Sequence, residues 1–370
     1  MPTNPPWIRV AVVRDQPQVD VAVQGQFRII ALQNANVLRE GSHLPRVEVR
    51  ASREGILFGE QRVASSGLRV EPAGEATVSL NGHRLRGTLE IVRQNDLSPT
   101  GGYHLLVVNH VALEDYLQGV LSKEAPYHWP AEALKAIAIA ARTYALFQRL
   151  SKTSVEYDVT SDVLSQVYGG KAGEKWRTNR IVKETAGLIL TYRGRVFPAF
   201  YHSTCGGVTE DAVVMGPFDL APLKGGRLCE FCRESPFYRW QRRVTAADLA
   251  WAIKQQRGSS IWPVTDLAIV RHTSTGRIAQ IRIRGTTPLV LSGYEFRQLL
   301  GFSTIRSTAL TIAREGDGFA LRGQGWGHGV GLCQWGTAHL ARRGLRAHEI
   351  LSFYYPQAEL VRLGEVPLQA

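Results

Sequence analysis

The sequence predicts an α+β protein: a β-rich N-terminal module at residues 1–84, then a mixed α+β core at 85–370 with a Gly/Cys-rich loop read as metal-binding. Three observations predict it. Short runs of alternating apolar and polar residues, punctuated by Gly, Asn and Pro, fill residues 7 to about 95, the period-2 signature of half-buried strands. Two helical patterns follow in tandem between Leu113 and Leu150. Beyond them strands and helices alternate irregularly, with no internal repeat, as in mixed-sheet folds.

Strands are expected at residues 8–13, 19–23, 27–32, 47–50 and 68–71. Asn81-Gly82, between Val78-Ser79-Leu80 and His83-Arg84-Leu85, is a two-residue hairpin signal, since both residues tolerate positive φ. Strands at 89–92 and 103–109 follow, separated by a Ser98-Pro99-Thr100-Gly101-Gly102 turn. Leu113, Tyr116, Leu117, Val120 and Leu121 then form an apolar stripe at helical spacing. Ala125-Pro126 stops this helix, because a residue before proline is pushed out of the α region. A second helix starts near Pro130, where the first turn tolerates proline, and buries Leu134, Ile137, Ala138, Ala141 and Ala145. Lys135 and Arg142 are seven apart, about two turns, so they are expected on one face.

The rest of the core divides into a loop region at 196–236, an α/β part at 240–322, and a Gly-rich motif with C-terminal helices at 323–358. Helices are expected at 174–185, 245–256 with Thr245 as N-cap, 292–300, 335–343 and 347–354. Strands are expected at 188–192, 196–201, 265–271, 277–284, 287–291, 308–313 and 318–322.

A chain of 370 residues with 44% apolar content can bury a sizeable core in two or more domains. Lys+Arg 44 against Asp+Glu 32 leaves a net charge of +12, which calls for an acidic partner. No zinc-finger spacing, aromatic RNP run or basic-region helix supports nucleic acid, so none is expected. A glycan bearing carboxylates fits the charge equally well. No apolar run reaches the length of a membrane span. The N-terminus lacks a basic n-region and a long apolar h-region, so either the protein is cytoplasmic or a leader lies outside this sequence.

Four groups of residues carry chemistry. Glu124 sits at the break between the two helices. A helix C-terminus disfavours an added negative charge, and Ala125, Pro126, Tyr127 and Trp129 remove water, so a proton would stay available for acid catalysis. Lys123 acts the other way, and a solvated glutamate at a helix end explains the same residues, which local sequence alone favours. His202-x-x-Cys205 and Cys229-x-x-Cys232 offer four ligands of the type a tetrahedral zinc takes. With all four positions filled by protein, such a metal would be structural. Disulfides or unrelated thiols are the other readings.

Gly325-Trp326-Gly327-His328-Gly329-Val330-Gly331 is too glycine-dense for helix or strand and suits close backbone approach. His328 in it either faces a substrate or Glu124, or is hydrogen-bonded within a tight turn, the reading its loop favours. Cys333 just beyond reads as a small buried hydrophobe. Asp158, Asp162, Gln166 and Tyr168 form a polar-aromatic group suited to sugar hydroxyls, or equally to turns and caps.

Taken together, VNHVALEDYLQGVLSKEAPYHWPAEALKAIAIAARTYAL, SQVYGG, YHSTCGGVT, GYEFRQLLGFSTIRS, GWGHGVGLCQWGTAHLARRG and FYYP resemble the stage II sporulation protein D/LytB (SpoIID) family. The likeness runs in the family's order from about Leu85 onward. It implies a lytic transglycosylase, a carbon–oxygen lyase acting on peptidoglycan. The glutamate of the family's SxE-(M/A)-P segment, here Glu124, would be the acid. Lys135 and Arg142 would line the cleft, and Gln166, Tyr168, Tyr201, His328 and Gln334 would contact glycan. Some members bind zinc, with His202, Cys205, Cys229 and Cys232 as counterparts. The resemblance further implies peptide-stripped glycan strands as substrate, a place in the cell envelope, and other wall hydrolases such as an amidase as partners. The sequence departs from the family at GLCQWG, where serine is commoner before the glutamine. Two rival activities fit less of this pattern: a LytB-type non-catalytic modifier of another wall enzyme, and a zinc-dependent hydrolase of stem-peptide amides, which needs an open coordination position.

Overall fold

The structure is a computed structural model that describes residues 6–95, 102–151, 154, 156–258 and 261–365. Residues 98–101 of the expected turn lie outside these. The fold is α+β, with seven helices among the described residues. The chain forms two compact units: residues 1–129, 137–198 and 361–370 make the first, and 130–136 with 199–360 make the second.

The first unit is built on one eleven-stranded sheet. Its strands are β1 (Trp7–Gln16), β2 (Gln18–Ala31), β3 (Val37–Ser52), β4 (Gly55–Phe58), β5 (Gln61–Val63), β6 (Gly67–Pro72), β7 (Thr77–Leu80), β8 (His83–Leu85), β9 (Thr88–Asn95), β10 (Tyr103–Ala112) and β11 (Val159–Thr160). Their order is β11-β1-β10-β9-β6-β2-β3-β4-β5, with β7 paired to β2 and β8 to β7. Alternation sets the faces: Val19, Val21 and Val23 are buried in β2, and Phe27, Ile29 and Ala31 resume the pattern after a bulge at Gly25. The β7–β8 hairpin turns on Asn81 (φ 49) and Gly82 (φ 82), the conformation that Asn-Gly supplies at least strain. By contrast, β10 holds five consecutive buried residues, Leu105 to Asn109, as a strand covered on both faces must.

That strand runs straight into α1 (Leu113–Glu124), followed by α2 (Ala131–Ser151) and α3 (Trp176–Glu184). Glu114 and Asp115 open α1, where acids suit the helix dipole. Ala125 is extended (φ −141, ψ 142) before Pro126 and ends it. The sequence divides at 84/85 by its patterning, whereas one sheet spans that point, with β1 paired to β10 and β6 to β9. Strand pairing, which local patterning does not reveal, joins the N-terminal strands to the segment that carries α1.

The second unit contains two three-stranded antiparallel sheets, one of Arg239–Thr245, Gly318–Gln324 and Leu310–Glu315, the other of Asp266–His272, Ile278–Arg284 and Leu289–Ser292. They share one apolar core with α4 (Ala246–Arg257) and α5 (Gly293–Leu300). Both helices start with capping boxes, Thr245 with Asp248 and Ser292 with Glu295. The chain then enters the glycine-rich loop, α6 (Gln334–Arg342) and α7 (Ala347–Tyr354). A short parallel pairing, Tyr201↔Leu332 and His202↔Cys333, ties the start of the 202–236 loop to the end of the glycine-rich loop.

Candidate functional site: a helix-end glutamate and a four-thiol centre

In the first unit, Glu124 is the last residue of α1 and is partly exposed. Its Oε1 accepts a hydrogen bond of 2.7 Å from the Val167 main-chain N–H. Beneath lies a buried polar layer. Tyr116 donates to Gln166 Oε1 (2.9 Å), and Gln166 Nε2 donates to the Ala141 carbonyl (3.2 Å). Tyr168 donates to Asn109 Oδ1 (3.0 Å), and Asn109 in turn donates to the carbonyls of Arg86 and Thr88. The Tyr116 and Tyr168 rings lie 5.2 Å apart. Burial, then the negative charge of Glu124, pushes the Tyr116 hydroxyl well above its ordinary pKa, so it remains a donor. The segment from Gln166 to Gly173 is strapped to α1: Gly169 N–H bonds the Gly119 carbonyl at 3.0 Å, and Ser122 Oγ bonds the Gly173 carbonyl. Gly119 has to be glycine here, because a Cβ would stand 2.6 Å from the Tyr168 ring.

This geometry corrects three expectations. Arg142 is 0% exposed and lines no open surface. Its Nε and Nη2 form a two-pronged pair with Glu114 (2.9 and 2.8 Å), and Nη1 reaches the Leu188 carbonyl. It clamps α1, α2 and the strand Leu188–Tyr192 together. Gln166, also 0% exposed, and Tyr168 spend their polar atoms inside the protein rather than on a ligand. Asp158 and Asp162 follow the turn reading: Asp158 pairs with Arg9, and Asp162 accepts from Thr160 Oγ1 and Leu164 N–H. Tyr116 and Asn109, which complete the layer, were missed by sequence reasoning. An apolar stripe gives no hint that one of its rings has a polar task.

In the second unit, Lys135 is partly exposed and pairs with Glu132 at 3.0 Å, and Glu132 also accepts from the Ala347 N–H at 2.8 Å. Gln334, expected from the sequence to contact glycan, opens α6 and is buried. Tyr201 accepts at its carbonyl a 3.0 Å bond from His328 Nε2. His328 Nδ1 accepts from the Val330 N–H at 3.0 Å, which fixes the proton on Nε2. Burial holds His328 well below its ordinary pKa, so the ring is neutral and locked in its loop.

The sulfurs of Cys205, Cys229, Cys232 and Cys333 all lie within 4.8 Å of one another, buried and free of disulfides. Cys205 Sγ and Cys232 Sγ are 3.4 Å apart, and the Cys205 N–H points at Cys333 Sγ (3.3 Å). The four act on one another. The sulfur of Cys205 pulls Cys232 down, that of Cys229 pushes Cys205 up, and burial pushes Cys333 up. The expected fourth member, His202, is elsewhere. Its Nδ1 donates to the Val330 carbonyl at 3.0 Å, and its ring lies 5.4 Å from that of His328. Burial, then Arg277, pulls it down to about 3. Cys333, read from sequence as a buried hydrophobe, takes the fourth place. The parallel pairing of 201–202 with 332–333 delivers it across about 130 residues. The one available signal was the total of four cysteines.

An α+β protein with a carboxylate strapped at a helix end and a separate four-thiol centre is the class these features define. Residues 102–192, which include Glu124, Asn109, Tyr116, Ala141, Gln166 and Tyr168, match the family described as Stage II sporulation protein, SpoIID. Residues 230–331 match a domain family of unknown function, DUF8618. The chain is 31% identical to Stage II sporulation protein D of Bacillus subtilis over 270 residues, covering 68% of this chain and 75% of that one. An uncharacterised protein of Brachyspira hyodysenteriae is 30% identical over 366 residues, 97% of this chain and 94% of its own. The Amidase enhancer of Bacillus subtilis is 27% identical over 79% of this chain and 46% of its own length. The chain belongs to the stage II sporulation protein D/LytB family.

Proposed function

We propose that the chain is a peptidoglycan lytic transglycosylase that cleaves the β-1,4 bond between N-acetylmuramic acid and N-acetylglucosamine in the cell envelope. The observation that carries this reading is Glu124: a partly exposed carboxyl group at a helix end, oriented by the Val167 N–H over a layer whose polar atoms are already satisfied. Protonated, it donates to the glycosidic oxygen as the bond to the muramic C1 breaks through an oxocarbenium-like state. The resulting carboxylate takes the proton from the C6 hydroxyl of the same sugar. O6 then closes on C1 as a 1,6-anhydro ring. One proton leaves Glu124 and one returns, and no water is consumed, so a single carboxyl group suffices where ordinary glycosidases need two. Family membership supports the reading. The net charge of +12 suits strands whose lactyl carboxylates have been stripped of peptide.

The four thiols are proposed to hold a structural zinc. Four buried sulfurs within 4.8 Å fit such a site, since zinc–sulfur bonds of about 2.3 Å place tetrahedral sulfurs roughly 3.8 Å apart. Four thiolates this close need a cation among them. When bound, zinc would cross-link the loop segments carrying Cys205, Cys229 and Cys232 to the segment carrying Cys333.

A second reading, a non-catalytic modifier of another wall enzyme such as an amidase, is supported by the likeness to the Amidase enhancer. Product analysis on peptide-free glycan strands separates the two. Anhydro-muramic ends made by the protein alone support the first. Stimulation of an amidase with no such ends, equal in wild type and Glu124→Gln, supports the second.

A further inference from the structure

Against the Cys205 main chain the structure buries a guanidinium, that of Arg277, that its own hydrogen bonds do not account for. Arg277 ends the Thr273–Arg277 turn, just before the strand Ile278–Arg284, and is 1% exposed. Its Nη2 donates to the Cys205 carbonyl. Nε and Nη1 are buried with no hydrogen-bond partner. A buried donor without a partner forfeits its solvation, and the loss is larger on a charged group. Burial pulls Arg277 below its ordinary value, and Glu210, Cys205, Cys333 and Cys232 are the groups that oppose this. Glu210, the first of these, keeps its charge while it accepts from Thr273 Oγ1 and Thr275 Oγ1 (both 2.6 Å) and from the Asp211 N–H (2.8 Å), and it gives Nε and Nη1 no hydrogen bond. The Cys205 carbonyl ties the guanidinium to a residue of the thiol centre.

The glycine-rich loop is shaped around the same group. Gly329 has φ +88, and a Cβ there would stand 2.6 Å from Arg277 Cζ. The loop thus gives up a side chain where the guanidinium passes.

We infer that Arg277 is the built-in counter-charge of a divalent-metal tetrathiolate formed by Cys205, Cys229, Cys232 and Cys333, with Gly329 kept small to admit it. The inference rests on the zinc reading above. Four thiolates around a divalent cation carry a net charge of −2, and burying that without a partner is prohibitive. One fixed guanidinium halves it, and its unused N–H groups suit thiolate sulfur, which accepts more strongly than a thiol. Arg277 is in this sense a positioning residue for the metal rather than a ligand.

The test uses the full chain purified without chelators. Zinc content is read by mass spectrometry of the metal, affinity by competition with a chromophoric chelator, and thiolate ligation by the absorption of the cobalt(II)-substituted protein. Wild type should hold one zinc. Arg277→Met should bind it ~10- to 100-fold more weakly, as loss of an outer-sphere partner does, whereas Arg277→Lys, which keeps the charge, should stay near wild type. Glu210→Gln should also keep its zinc. Wild-type affinity in Arg277→Met would overturn the inference, and so would equal loss in Glu210→Gln. If Arg277→Met does not fold, the lysine variant decides: a folded Arg277→Lys that loses zinc overturns the counter-charge. Wild-type protein with four reduced thiols and no uptake of zinc or cobalt would instead defeat the metal reading itself.

Discussion

Cys205 and Cys333 meet through a main-chain N–H aimed at a sulfur, at 3.3 Å, although 128 positions separate them. This contact makes Cys333, and not His202, the fourth member of the thiol centre. It predicts that Cys333→Ser loses most of its bound metal, while His202→Gln keeps it. Metal content of the two purified variants checks this directly. Retention in Cys333→Ser with loss in His202→Gln would restore the ligand set that spacing alone suggested.

Arg142 predicts a stability effect and not a binding effect. Removing one partner of a buried pair costs about 3–5 kcal/mol. Glu114 keeps 31% of its side chain exposed, which places Arg142→Met toward the lower end, about 3 kcal/mol. Urea unfolding measures the loss. Glycan affinity of the folded fraction should match wild type.

Beneath Glu124, Gln166→Leu keeps the approximate volume but leaves the Tyr116 hydroxyl without its acceptor and the Ala141 carbonyl with its helical bond alone. The expected cost is about 1–3 kcal/mol, with a fall in turnover as the strap that carries Val167 loosens. Tyr116→Phe in the same background should recover part of the stability by removing one orphan. A double-mutant cycle shows whether it does.

The pH dependence of the first unit should reflect Glu90. His110, whose Nε2 lies 3.1 Å from Glu90 Oε2, and then Arg69 hold the Glu90 carboxyl at about 2, below the ordinary value of 4.5. A depressed acid stabilises the fold above its unfolded pKa, and that stability is lost as pH falls through the folded value. The window here runs from about pH 4.5 down to about 2. Glu90→Gln should therefore be roughly 1–3 kcal/mol less stable than wild type at neutral pH, with the gap closing near pH 2. A constant gap across that range would point to packing in place of charge.

What was legible in the sequence was local. Asn81-Gly82 specified its hairpin, Ala125-Pro126 ended α1, and Thr245 capped the helix it precedes. These signals act within a few residues, through φ preference and capping bonds. What was not legible depended on pairing at long range. The Tyr201–His202 strand meets Leu332–Cys333, and the pairings of β1 with β10 and of β6 with β9 join the first strands to the segment that carries α1. Periodicity placed Arg142 on a helix face, but Glu114 and the Leu188 carbonyl decided what that face meets. Gln166 and Tyr168 have side chains suited to sugars, and only their burial showed them to be supports.

The most direct test of the account is mass spectrometry of the products from peptide-free glycan strands incubated with wild type and with Glu124→Gln, each first shown to be folded. Wild type should give 1,6-anhydro-muramic ends and the variant none. Reducing ends from wild type would mean attack by water and a second base, and anhydro ends from Glu124→Gln would remove Glu124 from the role.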